Sequence, residues 1–157
     1  MLINPNLYTG KSKVIYDGYG NAYNNGVFVL TGKLEEGKTY TLSCDIERTT
    51  IGNTPIDMSV NIGPCRSDHS TIKDIGYTYT DISNGKAVYT FTYRNDINSI
   101  WIFSNQGDRP RVKAIYTKIK IEEGKEPTLY VPNKNSLDPS KQPLLPPEGE
   151  YKEIKPM

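Results

Sequence analysis

The chain has 157 residues, a formal net charge of +1 and 36% hydrophobic residues. That length suits one domain with an appendage and buries a core without a disulfide or metal staple. With neither a basic stripe nor an acidic tail, and with no apolar run as long as a membrane span, nucleic acid and membrane are not expected partners.

Twelve Tyr stand against three Phe and one Trp, among many Asn, Thr and Gly, a balance that suits strands and turns better than helices. The opening MLINPNLYTG lacks the charged entry and long apolar stretch of a secretory signal. If Met1 is the natural start, the product is expected to stay inside the cell that makes it or to leave by lysis.

Asn6-Leu7-Tyr8 and Val14-Ile15-Tyr16 read as short first strands, with Asp17-Gly18 and Asn25-Gly26 as turns. Val27 to Leu30 is a short apolar strand stopped by Thr31-Gly32. Lys38 to Arg48 is the clearest strand. Tyr40, Leu42, Cys44 and Ile46 point to one face, and Thr39, Thr41, Ser43, Asp45 and Glu47 to the other. Met58, Val60 and Ile62 repeat the alternation, and Gly63-Pro64 is expected to end it. Arg66 to Ile82 reads as a loop holding the lone His69 and leading into Tyr77-Thr78-Tyr79. Asn84-Gly85 is a hairpin signal. Tyr89, Phe91 and Tyr93 alternate with Thr90 and Thr92.

In Ser99–Phe103, Ile100 and Ile102 alternate with Trp101 and Phe103, so both faces look apolar. Two arrangements follow. Either the isoleucines face the core and Trp101 faces outward, or Trp101 and Phe103 fill the core and the isoleucines lie under a loop or partner. The closing strand begins at Val112. Ile115, Ile119 and Ile121 share its buried parity, and Tyr116, Lys118 and Lys120 the wet one. A turn at Glu122-Glu123-Gly124 and a short extended run, Leu129-Tyr130-Val131, end at Pro132.

Some eight short strands with period-two patterning and no helical period predict an all-β, antiparallel sandwich over residues 1–133. Seven of the 11 prolines lie from Pro127 to Pro156, so 134–157 is read as a Pro-rich extended tail or linker. Leu144, Leu145 and Tyr151 are apolar enough to dock on this domain or on a neighbouring chain.

Chemistry has few footholds. No nucleophile elbow, zinc-helix motif, phosphate loop, dinucleotide fingerprint or paired Cys/His spacing occurs. Asp45 and Glu47 share a strand face, as any solvated face would show. Asp74, Asp81 and Asp96 follow no calcium-loop pattern. Cys44 reads as a small core residue and Cys65 as a loop residue, and a bridge between them has no framework to support it. No catalytic residue, metal or cofactor is expected, and the chain is read as not an enzyme.

Binding by aromatics is easier to derive. Sugar rings stack their apolar C–H faces on flat aromatic surfaces, while their hydroxyls seek amide, carboxylate and guanidinium partners. The candidate ligand-binding residues are Trp101, Tyr116, Tyr77 and Tyr79, with Asp108 and Arg109, beside Asn105 and Gln106, in the loop after Trp101.

The order of several short motifs carries a family likeness. Asn6-Leu7 opens the chain. Leu34-x-x-Gly37-Lys38-x-Tyr40-x-Leu42-Ser43 follows, then Tyr89-Thr90-Phe91-Thr92. Last come Ile119-Lys120-Ile121-Glu122-Glu123-Gly124, Pro127-Thr128 and Tyr130-x-Pro132. This resembles the carbohydrate-binding-module-like jelly-roll domains of phage tail, baseplate and tail-fibre proteins from phages of Gram-positive bacteria. The resemblance covers about residues 1–133; position 130 is Tyr where that family often has Trp. It implies a jelly-roll sandwich that binds a host cell-surface saccharide during adsorption, sited in the virion after synthesis in the host cytoplasm. Host cell-wall polysaccharide, other tail proteins and a second copy of the chain are the implied partners. The alternatives are a structural virion or assembly protein of the same fold without sugar binding, and the accessory module of a bacterial glycoside hydrolase or a fragment of such a hydrolase.

Overall fold

A computed structural model describes residues 2–19, 26–50, 59–104 and 111–133. The eight strands are β1 (Lys13–Tyr19), β2 (Gly26–Leu30), β3 (Thr39–Thr50), β4 (Ser59–Cys65), β5 (Thr78–Asp81), β6 (Lys86–Thr92), β7 (Ser99–Ser104) and β8 (Arg111–Glu123). They form two four-stranded sheets, ordered β1-β8-β3-β6 and β2-β7-β4-β5, with every pairing antiparallel. That interleaved order is the double Greek key of a jelly roll, as expected.

The core lies between the sheets. The first sheet supplies Tyr40, Leu42, Cys44, Ile46, Tyr89, Phe91, Tyr116, Ile119 and Ile121; the second supplies Val27, Val29, Val60, Ile62, Ile100 and Ile102. Ile62, Ile100, Ile102 and Ile121 are wholly buried, each worth about 1.5–3 kcal/mol in apolar transfer. Alternation is strict in β6, where Ala87, Tyr89 and Phe91 are buried and their neighbours exposed.

β8 departs from the single parity expected of it. Its register with β3 slips between Ser43↔Lys120 and Asp45↔Thr117, so Lys118 and Ile119 together face Cys44. Lys118 takes a left-handed φ of 53° at this bulge. One extra residue flips every side chain beyond it. Tyr116 therefore joins Ile119 and Ile121 in the core, and Ile115 is only half-buried. The expectation of Tyr116 as an exposed aromatic is thereby corrected.

Lys120 is corrected too. Lys120 and Glu122 point away from the core yet are wholly buried. The two chain ends cover them. Asn4 donates from Nδ2 to Glu122 Oε1 (3.2 Å), Thr128 donates from N and Oγ1 to the same oxygen (3.0 and 2.6 Å), and Lys120 Nζ donates to Thr128 Oγ1 and Leu129 O (2.9 and 2.7 Å). Asn6 clips the first strap to β8: its Nδ2 donates to Ile119 O, and its Oδ1 accepts from Ile121 N. The Asn6–Tyr8 and Leu129–Val131 segments lie along the sheet as these straps without becoming strands.

Three turn signals also act differently from expectation, and the first, Asp17-Gly18, lies inside β1 in register with Lys113 and Val112. Asn84-Gly85 closes no hairpin, since β5 and β6 belong to different sheets. Gly85, at φ 78°, carries the chain around the corner instead. Gly63-Pro64 does not end β4. Past Ile62 that strand has lost its β5 partner, and Pro64 pairs only with Ile100 of β7, so a residue without an N–H is tolerated there. A Cβ on Gly63 would meet the Tyr77 ring and lie 2.6 Å from Gly76 O. The glycine thus lets the 66–77 excursion fold back onto the sheet.

Candidate functional site

β2 and β7 lie side by side, and both are apolar on their two faces. Val27, Val29, Ile100 and Ile102 go to the core, which leaves Phe28, Trp101 and Phe103 on the outer face of the second sheet. There the rings form a continuous pile. His69 stacks on Phe28 (centroids 4.1 Å), Phe28 on Trp101 (5.3 Å), and Trp101 on Phe103 (4.1 Å). Tyr77 meets Trp101 and Phe103 edge-on at 5.8 and 5.0 Å, the complementary approach for ring quadrupoles. Tyr79 shares this face, since it pairs with Asn61, which pairs with Phe103. The pile has a covered middle and an open end at His69, and Tyr79 stands exposed elsewhere on the same face. Trp101 and Phe103 are 6% and 5% exposed, whereas Tyr79 is 70% exposed and His69 is also exposed.

At the His69 end the face runs into a cleft of about 580 Å³, lined by Leu30, Lys33, Arg66, Tyr93, Asp96 and Asn98 among others. The two features share a wall. Leu30 follows Phe28 by two residues on the same side of β2, and His69 N donates to Arg66 O (2.9 Å) within one turn. Such a volume is typical of small-ligand sites.

Its wall is braced by charge. Arg94 grips Asp96 with a two-pronged contact, Nε to Oδ1 at 3.1 Å and Nη2 to Oδ2 at 2.7 Å, and also holds Asp74. The Arg94 hydrogen bond holds the Asp74 carboxyl below the usual carboxylate range, and Asp74 and Asp96 push the guanidinium up in turn. Bonds from the Ser70 side chain and backbone lower Asp68 likewise.

The structure gathers three of the sequence-predicted residues, Trp101, Tyr77 and Tyr79, on this one face. Trp101 points outward, as the first arrangement of Ile100 and Ile102 required, but it is covered by Phe28, Tyr77 and Phe103, so its expected exposure is corrected. Tyr116 is in the core of the opposite sheet. Asp108 and Arg109, with Asn105 and Gln106, lie outside the described residues.

Phe28, Leu30, Arg66, His69 and Asn98 were missed. The signal for Phe28 was present: Val27–Leu30 is apolar on both parities, as is Ser99–Phe103. His69 and Arg66 had no such signal, because a turn brings them to the sheet. Cys65 packs under the rings and is wholly buried rather than in a loop, and both cysteines are free.

No protein-family model and no curated protein sequence matches the chain. Solved structures do resemble it. A structure of CBM4, a carbohydrate-binding module, aligns with 71% of this chain and 82% of its own at 17% identity, with a TM-score of 0.45. The CBM22-1 xylan-binding domain from Paenibacillus barcinonensis Xyn10C aligns over 76% of each chain at 13% identity and a TM-score of 0.41. A structure of the disulfide-linked pili of Bacillus endospore appendages aligns with 74% of this chain and 94% of its own at 10% identity and a TM-score of 0.30. Likeness at these identities is of the fold, and what the site can do rests on its own side chains.

Among the described residues no group of three His, Cys, Asp or Glu is placed to hold a metal ion. Asp45, one of the two carboxylates on the β3 face, lies 3.6 Å from Lys86 Nζ and 3.8 Å from Lys118 Nζ, as a solvated strand face would have it.

Proposed function

We propose that this chain is a non-enzymatic saccharide-binding module whose site is the outer face of the second sheet together with the adjoining rim cleft. The observation that supports this reading is the aromatic pile, exposed at its His69 end, with Tyr79 exposed on the same face, and opening onto a cleft with amide, carboxylate and guanidinium groups. Flat rings offer the stacking surface a pyranose needs, and polar side chains at the rim offer partners for its hydroxyls. Because Phe28, Tyr79, Trp101 and Phe103 stand on hydrogen-bonded strands, little ordering cost attends binding.

In finer terms we propose a phage tail, baseplate or tail-fibre module that binds a host cell-wall saccharide during adsorption and contacts other tail proteins in the virion. The order of the short motifs from Asn6-Leu7 to Tyr130-x-Pro132 supports this. A second reading, an assembly protein of the same fold, is favoured by Ile15, which is 52% exposed on edge strand β1 and directly paired with half-buried Ile115. Unpaired strand edges bearing apolar side chains are assembly material.

Calorimetric titration with cell-wall polysaccharide tests the first reading. Tyr79→Ala and His69→Ala should each weaken binding about tenfold, the scale of one lost stacking contact; Tyr79→Ala, at an exposed strand position, should change thermal unfolding little, whereas His69→Ala, at a left-handed φ of 68° and stacked on Phe28, should lower it somewhat with the protein still folded. Unaltered affinity in both variants, or no binding by the parent protein, contradicts it. Concentration-dependent association that Ile15→Lys abolishes, without saccharide binding, would instead establish assembly.

A further inference from the structure

We infer that the rim cleft selects a saccharide carrying an anionic substituent, a phosphate or a carboxylate, seated between Lys33 and Arg66. This rests on the saccharide reading and adds a charge requirement to it. Two cations, Lys33 and Arg66, line the cleft against one anion, Asp96. That anion is already engaged, since both its oxygens accept from the Arg94 fork at 3.1 and 2.7 Å. Arg66 Nη2 makes a long ion pair with Asp96 Oδ2 at 3.8 Å, which is too long for a hydrogen bond, and Arg66 Nη1 donates to Thr71 O at 3.1 Å.

The other nearby carboxylates are occupied as well. Asp74 is held by Arg94, Asp68 is bound within its own turn to Ser70, and Glu36 Oε2 accepts from Asn95 N at 3.1 Å. Lys33 has no ion-pair partner among the described residues. The guanidinium side chain of Arg66 remains 46% exposed, with donors to spare for the bidentate geometry that phosphate and carboxylate favour.

Floor and neighbours define the rest of the ligand. Leu30, 57% exposed, gives an apolar contact, and Asn98 is exposed beside it for hydroxyls. Next to them the His69–Phe28 stack is the surface for a ring. An anionic group at Arg66 and a sugar ring at His69 are adjacent demands, because one turn holds both residues.

The test uses the full chain and cell-wall polysaccharide of a Gram-positive host, separated by ion exchange into neutral, phosphate-bearing and carboxylate-bearing fractions. Binding is measured by calorimetry in low and high salt. The expected result is binding of one anionic fraction at least tenfold tighter than the neutral one, weakened by salt and reduced about tenfold in both Lys33→Glu and Arg66→Gln. Which anionic fraction binds identifies the substituent.

Lys33 lies on the surface outside the strands, so Lys33→Glu keeps the test valid even if Arg66→Gln disturbs its turn. Equal binding of neutral and anionic fractions, or unchanged affinity in Lys33→Glu, overturns the charge requirement and leaves saccharide binding standing. Failure of every fraction to bind overturns both.

Discussion

Replacing Glu122 with Gln removes one charge from a pair that no water touches. Lys120 Nζ and Glu122 Oε2 lie 3.5 Å apart with both side chains fully buried beneath the chain ends. In the variant, the Lys120 ammonium keeps only Thr128 Oγ1 and Leu129 O as acceptors. An orphaned buried charge of this kind costs about 3–5 kcal/mol, a large share of the roughly 5–15 kcal/mol that holds a domain folded.

The loss should depend on pH, and its sign is fixed. Burial already pulls the Lys120 pKa below the ordinary lysine value, with Glu122 pulling it back up; without Glu122 it falls further. The unfolded chain then binds more protons than the folded one between those two values, so stability rises with pH through that window. The Glu122→Gln deficit should therefore shrink from pH 7 to pH 9, below the range where tyrosines ionise. Urea unfolding followed by fluorescence measures it. A double variant, Lys120→Met with Glu122→Gln, should recover much of the loss, because it leaves no lone charge while an amide oxygen at position 122 can still accept from Asn4 and Thr128. A single-variant loss under about 1 kcal/mol, or a deficit indifferent to pH, would refute the reasoning.

Gly63→Ala should destabilise by about 1–3 kcal/mol through overpacking, because the new Cβ meets backbone oxygen Gly76 O at 2.6 Å as well as the Tyr77 ring. The variant's Trp101 emission should shift to the red as Tyr77 lifts away; unchanged stability and unchanged emission would contradict the fold-back of the 66–77 excursion. The native protein should resist thiol reagents. Burial pushes the Cys44 thiol up to about 12 and raises Cys65 as well, and both are inaccessible. Rapid modification of either without denaturant would place that residue elsewhere.

Period two made the sandwich legible because most strands here bury one face only. Tyr40, Leu42, Cys44 and Ile46 on β3, and Tyr89 and Phe91 on β6, lie where their parity puts them. The pattern fails where a residue is inserted into the ladder. Lys118 is neither Gly nor Asn, the residues that usually mark a left-handed position, so nothing local announced the flip that buries Tyr116. Buried Lys120 and Glu122 were hidden for another reason: their cover comes from Asn4 and Thr128, more than 110 residues apart in the chain. At the site, the two-sided apolarity of β7 was readable and its partner β2 carried the same mark. The contribution of Arg66 and His69 depends on a turn folding over Gly63, a tertiary event with no sequence period.

Backbone amide shifts of isotopically labelled protein, recorded as host cell-wall polysaccharide is added, bear most directly on where the molecule recognises its ligand. Binding at the second sheet predicts shifts concentrated at Phe28, Leu30, Arg66, His69, Tyr79 and Asn98. Shifts confined to the opposite face, around Val88 and Tyr130, or none at saturating polysaccharide, would contradict it.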